Sequence, residues 1–317
     1  MRRLDAIENR QEATLMLVAA SAAASVRTSR PHSLDEVEFK VFSQGGEDGI
    51  IQFLTSRIPI PNRTFVEFGV SDYTESNTRY LLFKDNWKGL ILDGSEKNIR
   101  TIRESSMFWR YELTAAKHFI TKDNINAIIG GAGFAGDVGL LSIDIDGNDY
   151  WVWKEISVIS PRIVVCEYNS VFGPNAPISI PYKADFLREA AHHSHLYYGA
   201  SLPAFFHLAG ELGYSFVGSD SGGHNAFFVR NDLAHGIPLP TVHAGYVRST
   251  ARESRDRNGV LSFVSGDDRV KLIEGEPVVD VITNAVTTVG DALRAYRGDG
   301  ARVRTSTRNA TRRPRRK

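Results

Sequence analysis

The chain reads as an α/β protein: a doubly wound, mostly parallel seven-stranded sheet with an antiparallel last strand. Two observations predict this. Four short apolar runs, TFVEFGV (64–70), GLILDG (89–94), LLSIDIDG (140–147) and RIVVCEYN (162–169), each end in acidic, glycine or amide residues and are separated by long connections. A strand covered by helices on both faces loses its polar alternation, so such runs fit buried parallel strands. The second observation is the ending of the pattern, a helix followed by two short strands around a tight turn.

The elements follow in order. Residues 15–26, LMLVAASAAASV, lie behind Arg2 and Arg3 like the core of a signal peptide. Asp5, Glu8 and Glu12 stand where such a signal would be basic, and the run is too short for a bilayer. An alanine-rich amphipathic helix packed on the domain is the better reading. Ser33 and Glu36 stand at capping-box spacing, and Gly45-Gly46 breaks the chain before a helix with Ile50, Ile51, Phe53 and Leu54 on its apolar face. Parts of crossover helices are expected at 99–103, 124–129 and 150–156. SLPAFFHLAGELG (201–213) has a serine cap, proline in its first turn and a terminal glycine, with apolar residues at helical spacing. YSFVG (214–218) and NAFFVR (225–230) flank the turn-rich SDSGGH and predict a hairpin. Four regions result: an N-terminal helical extension (1–32), the α/β domain (33–231), a peripheral C-terminal extension (232–300) and a disordered basic tail (301–317).

With 317 residues, 42% apolar and 24% charged, the chain is neither collagen-like, mucin-like nor wholly disordered. Its net charge of +1 hides a division, because residues 301–317 carry seven Arg and one Lys without an acid and leave −7 on the rest. An acidic body does not attract a phosphate backbone, so no specific nucleic-acid role is expected, and the tail suits solubility or a weak anionic-surface contact. Cys166 is the single cysteine, which excludes an intrachain disulfide and a cysteine-rich zinc cluster. It is read as a core residue. No segment reads as transmembrane, and the expected location is the cytoplasm, with a peripheral membrane contact open to the tail.

Chemistry concentrates at the predicted strand ends. The first strand runs into Glu67-Phe68-Gly69-Val70-Ser71-Asp72, where a glycine turn lets backbone approach a ligand. The glycines of a GxGxxG nicotinamide fingerprint are absent. Asp93 closes the second strand, where a carboxylate meets adenosine ribose hydroxyls in open α/β folds. A capping role alone is the alternative for Glu67 and Asp93. Asp144 and Asp146 project to the same side of one strand, and Glu167 ends the next. Three acids together call for a cation, Mg²⁺ before zinc, or for protonation. Alternatively one Asp binds cofactor, another caps the next helix, and Glu167 pairs with a base. His192, His193 and His195 offer a proton acceptor for an alcohol, or a surface cluster. Trp87, Trp151 and Trp153 are read as packing residues.

FSQGGEDGI (42–50), FVEFGVSDYTESNTRYLL (65–82), GLILDGS (89–95), LLSIDIDGNDYWVW (140–153), VVCEYNSVFGP (164–174), YYGAS (197–201) and GGHNAFFVR (222–230) together resemble the FkbM-type S-adenosylmethionine-dependent methyltransferases of the class I superfamily. The resemblance spans about residues 40–231. It implies a methyltransferase-like Rossmann fold with S-adenosylmethionine as cofactor. Glu67 and Gly69 would hold the methionine and ribose portion, Asp93 the ribose hydroxyls, and Asp144 would lie beside the transferring methyl group. Gln44 and Ser71 are further cofactor-side residues. Superfamily members often have glycines where this chain has Ser71 and Tyr73, which predicts a differently shaped loop; Asp123 is a weak adenine partner. The implied reaction is O-methylation of a sugar hydroxyl in a glycan or glycolipid, with Asp146 or His195 taking the proton and Asp144, Asp146 and Glu167 as possible Mg²⁺ ligands. A non-catalytic cofactor-binding scaffold and a metal-dependent nucleotide-sugar enzyme are the competing classes.

Overall fold

The computed structural model describes residues 2–297, so the basic tail read at 301–317 lies outside the described residues. The strands are β1 (Thr64–Phe68), β2 (Lys88–Asp93), β3 (Leu113–Lys117), β4 (Gly136–Ile143), β5 (Ile159–Glu167), β6 (Ile178–Ser179), β7 (Tyr214–Ser219), β8 (Asn225–Arg230), β9 (Pro277–Asp280) and β10 (Val286–Thr288). Seven of them form one sheet in the order β3-β2-β1-β4-β5-β8-β7. All neighbours are parallel except β8, which runs antiparallel to both β5 and β7. The strand order reverses direction between β1 and β4, and in an open α/β sheet that switch point opens a crevice at the carboxyl ends.

The helices are α1 (Arg2–Thr28), α2 (Glu47–Arg57), α3 (Arg79–Asp85), α4 (Glu96–Glu104), α5 (Ser106–Arg110), α6 (Ile125–Gly131), α7 (Asp149–Glu155), α8 (Arg188–Ala191), α9 (Leu202–Leu212), α10 (Val242–Gly245), α11 (Asp268–Ile273) and α12 (Val289–Tyr296). One sheet face packs Val66, Leu90, Leu141 and Val164 against Ile129, Trp153 and Phe205 from α6, α7 and α9. The other packs Phe65, Ile91, Leu140 and Ile163 against Ile50, Leu81 and Ile99 from α2, α3 and α4. Both faces being apolar explains why the central strands carry unbroken apolar runs. Edge strand β3 is only alternately buried, and LTAAK gave no such run.

Local chemistry sets the helix ends. Ser201 Oγ accepts from the Ala204 amide, and Gly213 terminates α9 in the left-handed region at φ 83°. Ser33 behaves otherwise than predicted: it precedes a four-residue 3₁₀ turn, Leu34–Val37, and makes no side-chain cap. Burial of Leu34 and Val37 ties that turn to the core, and Glu38 ends it in extended backbone. The entry to α2 is organised by Asp48, whose Oδ2 accepts from the amides of Val41, Phe42 and Ser43 at 2.7–2.8 Å.

Ala19, Ala23 and Val26 of α1 are buried, so the alanine-rich helix lies on the domain. The C-terminal segment is also packed in. β9 pairs with β6 and β10 in a second, three-stranded sheet. Ile273, Val278, Val289 and Ala292 share a core with Phe172, Ile178, Leu196 and Tyr197. Among the described residues no helix is long and apolar enough to cross a membrane.

Candidate functional site

A cavity of about 400 Å³ opens at the carboxyl edge of β1, β2 and β4. Gly69, at the end of β1, has φ +72°, and a Cβ there would stand 1.6 Å from the carbonyl oxygen of Asp144. The absent side chain therefore permits the β1 and β4 ends to close on each other. The turn continues through Ser71 at φ 47° and Tyr73 at φ 64°. Both residues adopt the left-handed backbone, a region that favours glycine. Left-handed backbone costs a non-glycine residue about 1–2 kcal/mol. Tyr73 is repaid by full burial, by its hydroxyl 2.9 Å from Thr78 Oγ1, and by Arg79 donating to its carbonyl.

Asp93 joins this turn to the end of β2. Its Oδ2 accepts from the Ser71 amide at 2.9 Å, and its Oδ1 from the Ser95 amide and Asn98 Nδ2 at 2.7 and 3.0 Å. A carboxylate offers about four lone-pair sites, so acceptor capacity remains on the cavity wall. Beyond it the His118–Ile120 stretch completes the wall, with Phe119 47% exposed as a flat apolar platform.

The opposite wall is acidic. Asp149 turns the chain after β4, its carboxylate accepting from the amides of Ile145 and Gly147 at 2.8 and 2.9 Å. That turn puts Asp146 in the left-handed region at φ 54°. Oxygens of Asp144, Asp146 and Glu167 all lie within 4.8 Å of one another. Burial, then the charges of Asp146 and Asp149, push the Asp144 carboxyl well above the usual carboxylate range. Burial, then Asp144 and Asp146, do the same to Glu167, whose Oε2 has no hydrogen-bond partner. Arg188 answers this charge: it pairs with Asp146, donates from Nε to the His195 carbonyl at 2.8 Å and lies 3.9 Å from the Tyr198 ring centroid. Burial works against its charge, yet Tyr198, Glu167 and Asp146 raise its pKa above that of an ordinary arginine.

Of the residues singled out in the sequence, Gly69, Ser71, Asp93, Asp144 and Asp146 meet at this cavity. Glu167 stands behind Asp144 and Asp146. Glu67 is turned away: its buried carboxylate accepts from Ser76 Oγ, Thr78 Oγ1 and the amides of Asn77 and Thr78, holding the loop between β1 and α3. Gln44 is exposed on the α2 entry loop, away from the cavity wall. His195 also lies off that wall and presents its carbonyl to Arg188, while His192 is bonded to Ser194. Asp123 accepts from the Tyr182 hydroxyl. Cys166, Trp87 and Trp153 are core residues, and Trp151 donates its indole N–H to the Ile180 carbonyl. Sequence reasoning missed Arg188, Asp149, His118 and Phe119. Asp149 had a signal in the DxDGxD spacing of 144–149; Arg188 had none, since 42 residues separate it from Asp146.

A second acidic pair is buried beside the site. Asn225 faces Glu167 across β5 and β8, and its Nδ2 donates to Glu47 Oε1 at 2.9 Å. Burial, then the neighbouring Glu47, raise Asp220 to about 6. A carboxyl whose folded pKa is raised binds its proton more tightly when folded, so its contribution to stability is lost as pH rises from about 4 to about 6. Asp220→Asn keeps the oxygen that accepts from the amides of His224 and Asn225. It is expected to stabilise the protein at pH 7.5 by on the order of 1 kcal/mol and to change nothing at pH 4, as urea titrations at the two pH values will read. An equal effect at both would reject this account.

Comparison with known protein families and with curated proteins finds no match. Comparison with solved structures finds loose likenesses. The methyltransferase domain of bacterial CtHen1-C is 11% identical, with a TM-score of 0.37, covering 58% of this chain and 96% of that one. The N-terminal domain of EvdMO1 with SAH bound is 8% identical, with a TM-score of 0.39, over 67% and 94% of the two chains. An S-adenosylmethionine-dependent methyltransferase from Clostridium acetobutylicum ATCC 824 is 8% identical, with a TM-score of 0.34, over 53% and 83%.

Proposed function

We propose that the protein transfers a methyl group from S-adenosylmethionine to a hydroxyl of a sugar, in a glycan or glycolipid, in the cytoplasm. The observation that carries the methyl-transfer reading is the juxtaposition of the Gly69 turn, Asp93 and the Asp144–Asp146 wall around one cavity at the switch point. The residues fit the cofactor: Asp93 has acceptor capacity for ribose hydroxyls, Phe119 offers a flat apolar face for adenine, and the acidic wall suits a sulfonium cation. The sugar acceptor rests on the resemblance of the motif blocks.

When bound, the cofactor supplies an electrophilic methyl group on positively charged sulfur. Position does most of the catalytic work, because the acceptor oxygen must lie in line with the sulfur–carbon bond. Asp146 stands on the cavity wall as the proton acceptor for the hydroxyl. Arg188 holds that carboxylate in place and balances its charge. Burial and their acidic neighbours raise the pKa values of Asp144 and Glu167, so sharing a proton between them lessens the repulsion among the three acids. His195, off the wall, acts here through its carbonyl on Arg188. Asp144, Asp146 and Glu167 would be the ligands of a divalent ion, but Arg188 already supplies a positive charge at Asp146, so Mg²⁺ is not required by this scheme.

Isothermal titration of the full chain with S-adenosylmethionine and its demethylated product tests the reading, followed by transfer of labelled methyl to a panel of sugars. Both ligands are expected to bind and NAD⁺ not to, with turnover undiminished by EDTA. Binding without turnover on any sugar, alcohol or phenol would favour a scaffold. Loss of turnover in EDTA, restored by Mg²⁺, would return the metal to the mechanism.

A further inference from the structure

A second cavity of about 430 Å³ adjoins the first and shares Phe186, Leu187 and Ala190 with it. The shared wall is seated on the turn after β4. A Cβ on Gly147 would stand 2.3 Å from the Phe186 ring, so glycine there lets the ring lie against the turn that carries Asp146. Asn148 Nδ2 donates to the Lys183 carbonyl at 2.8 Å and Trp151 Nε1 to the Ile180 carbonyl at 2.8 Å, tying the rest of the wall to α7. Tyr182 and Tyr197 supply two more rings, and each hydroxyl is tethered, to Asp123 Oδ2 and to the Pro277 carbonyl. Pro277 belongs to β9, so the C-terminal segment helps to build this cavity.

We infer that this second cavity binds a pyranose ring of the acceptor, an inference that rests on the methyl-transfer reading for the purpose of that binding. Three aromatic rings, of Tyr182, Phe186 and Tyr197, line the space; the charged groups lining it, Lys183 and Asp185, are of opposite sign and 3.5 Å apart, and Lys122 Nζ lies 4.5 Å from the Tyr182 ring centroid. A balanced pair gives no net attraction to a phosphate or nucleotide. Aromatic faces with a few polar groups at the rim match a neutral ligand that is apolar on its C–H faces and polar at its edges, which describes a sugar ring. The shared wall places such a ring next to Asp146, the proton acceptor of the proposed reaction.

Saturation-transfer NMR on the full chain tests this, with methyl pyranosides of the gluco, galacto, manno and fuco series and with n-octyl β-D-glucopyranoside as probes. Transfer to ring C–H protons of at least one pyranoside is expected. Tyr182→Ala should weaken that ligand about tenfold, Tyr182→Phe should retain it, and neither should change the affinity for S-adenosylhomocysteine. If Tyr182→Ala does not fold, Tyr182→Leu, which keeps apolar bulk but has no ring, takes its place and should likewise weaken the ligand. No transfer to any pyranoside, transfer confined to the octyl chain, or wild-type affinity in Tyr182→Ala or its replacement overturns the inference. Sugar binding by a chain that does not bind S-adenosylhomocysteine would sink the methyl-transfer reading while leaving a sugar site; cofactor binding without sugar binding would sink this inference alone.

Discussion

Gly69→Ala is expected to abolish binding of S-adenosylmethionine and to lower the thermal midpoint sharply. The new Cβ would fall 1.6 Å from the Asp144 carbonyl oxygen, which is backbone at the end of a central strand and has no rotamer to escape into. Either β1 and β4 separate at the switch point or the turn leaves φ +72°, and both move Ser71 away from Asp93. Overpacking of a tight contact costs about 1–3 kcal/mol, and left-handed alanine adds about 1–2 kcal/mol. Differential scanning calorimetry and titration with S-adenosylhomocysteine read the two effects. Wild-type stability and affinity in Gly69→Ala would show that the close approach of β1 and β4 has no bearing on the site.

The second large effect is expected at Asp93. Asp93→Ala removes the proposed ribose acceptor and three bonds that align Ser71, Ser95 and Asn98. Hydrogen bonds to a charged group contribute about 1.5–3 kcal/mol each, so loss of even one ribose contact together with the turn's alignment should weaken cofactor binding on the order of 100-fold. Asp93→Asn keeps one carbonyl oxygen and should fall between the two. A variant that folds, shown by unchanged far-ultraviolet circular dichroism, and binds the cofactor as well as wild type would remove Asp93 from the site.

The fold was legible because it is written in composition along short windows. Central strands buried on both faces are largely apolar, and β1, β2, β4 and β5 are so. Edge strand β3 was not legible in the same way, since half its residues face outward. Gly69 and Asp93 were readable as site residues because strand ends in an open sheet converge on one crevice whatever the intervening loops do. Glu67 illustrates the limit. Its position at a strand end is the same in kind as that of Asp93, but Ser76, Asn77 and Thr78, nine to eleven residues on, turn back to satisfy its carboxylate.

Sequence alone thus determined the α/β class, the reversed strand near the end of the sheet and the carboxyl-edge position of most of the acidic residues, since these follow from local periodicity and from the alternation of side chains along a strand. Only the tertiary structure decided which acids share a cavity, that Arg188 answers their charge, that His195 lies off the wall, and that the C-terminal segment closes a second cavity through Pro277. The division has a physical cause. Burial patterns are set within a few residues, whereas charge compensation and cavity walls depend on distances between side chains that the chain brings together from tens of residues apart.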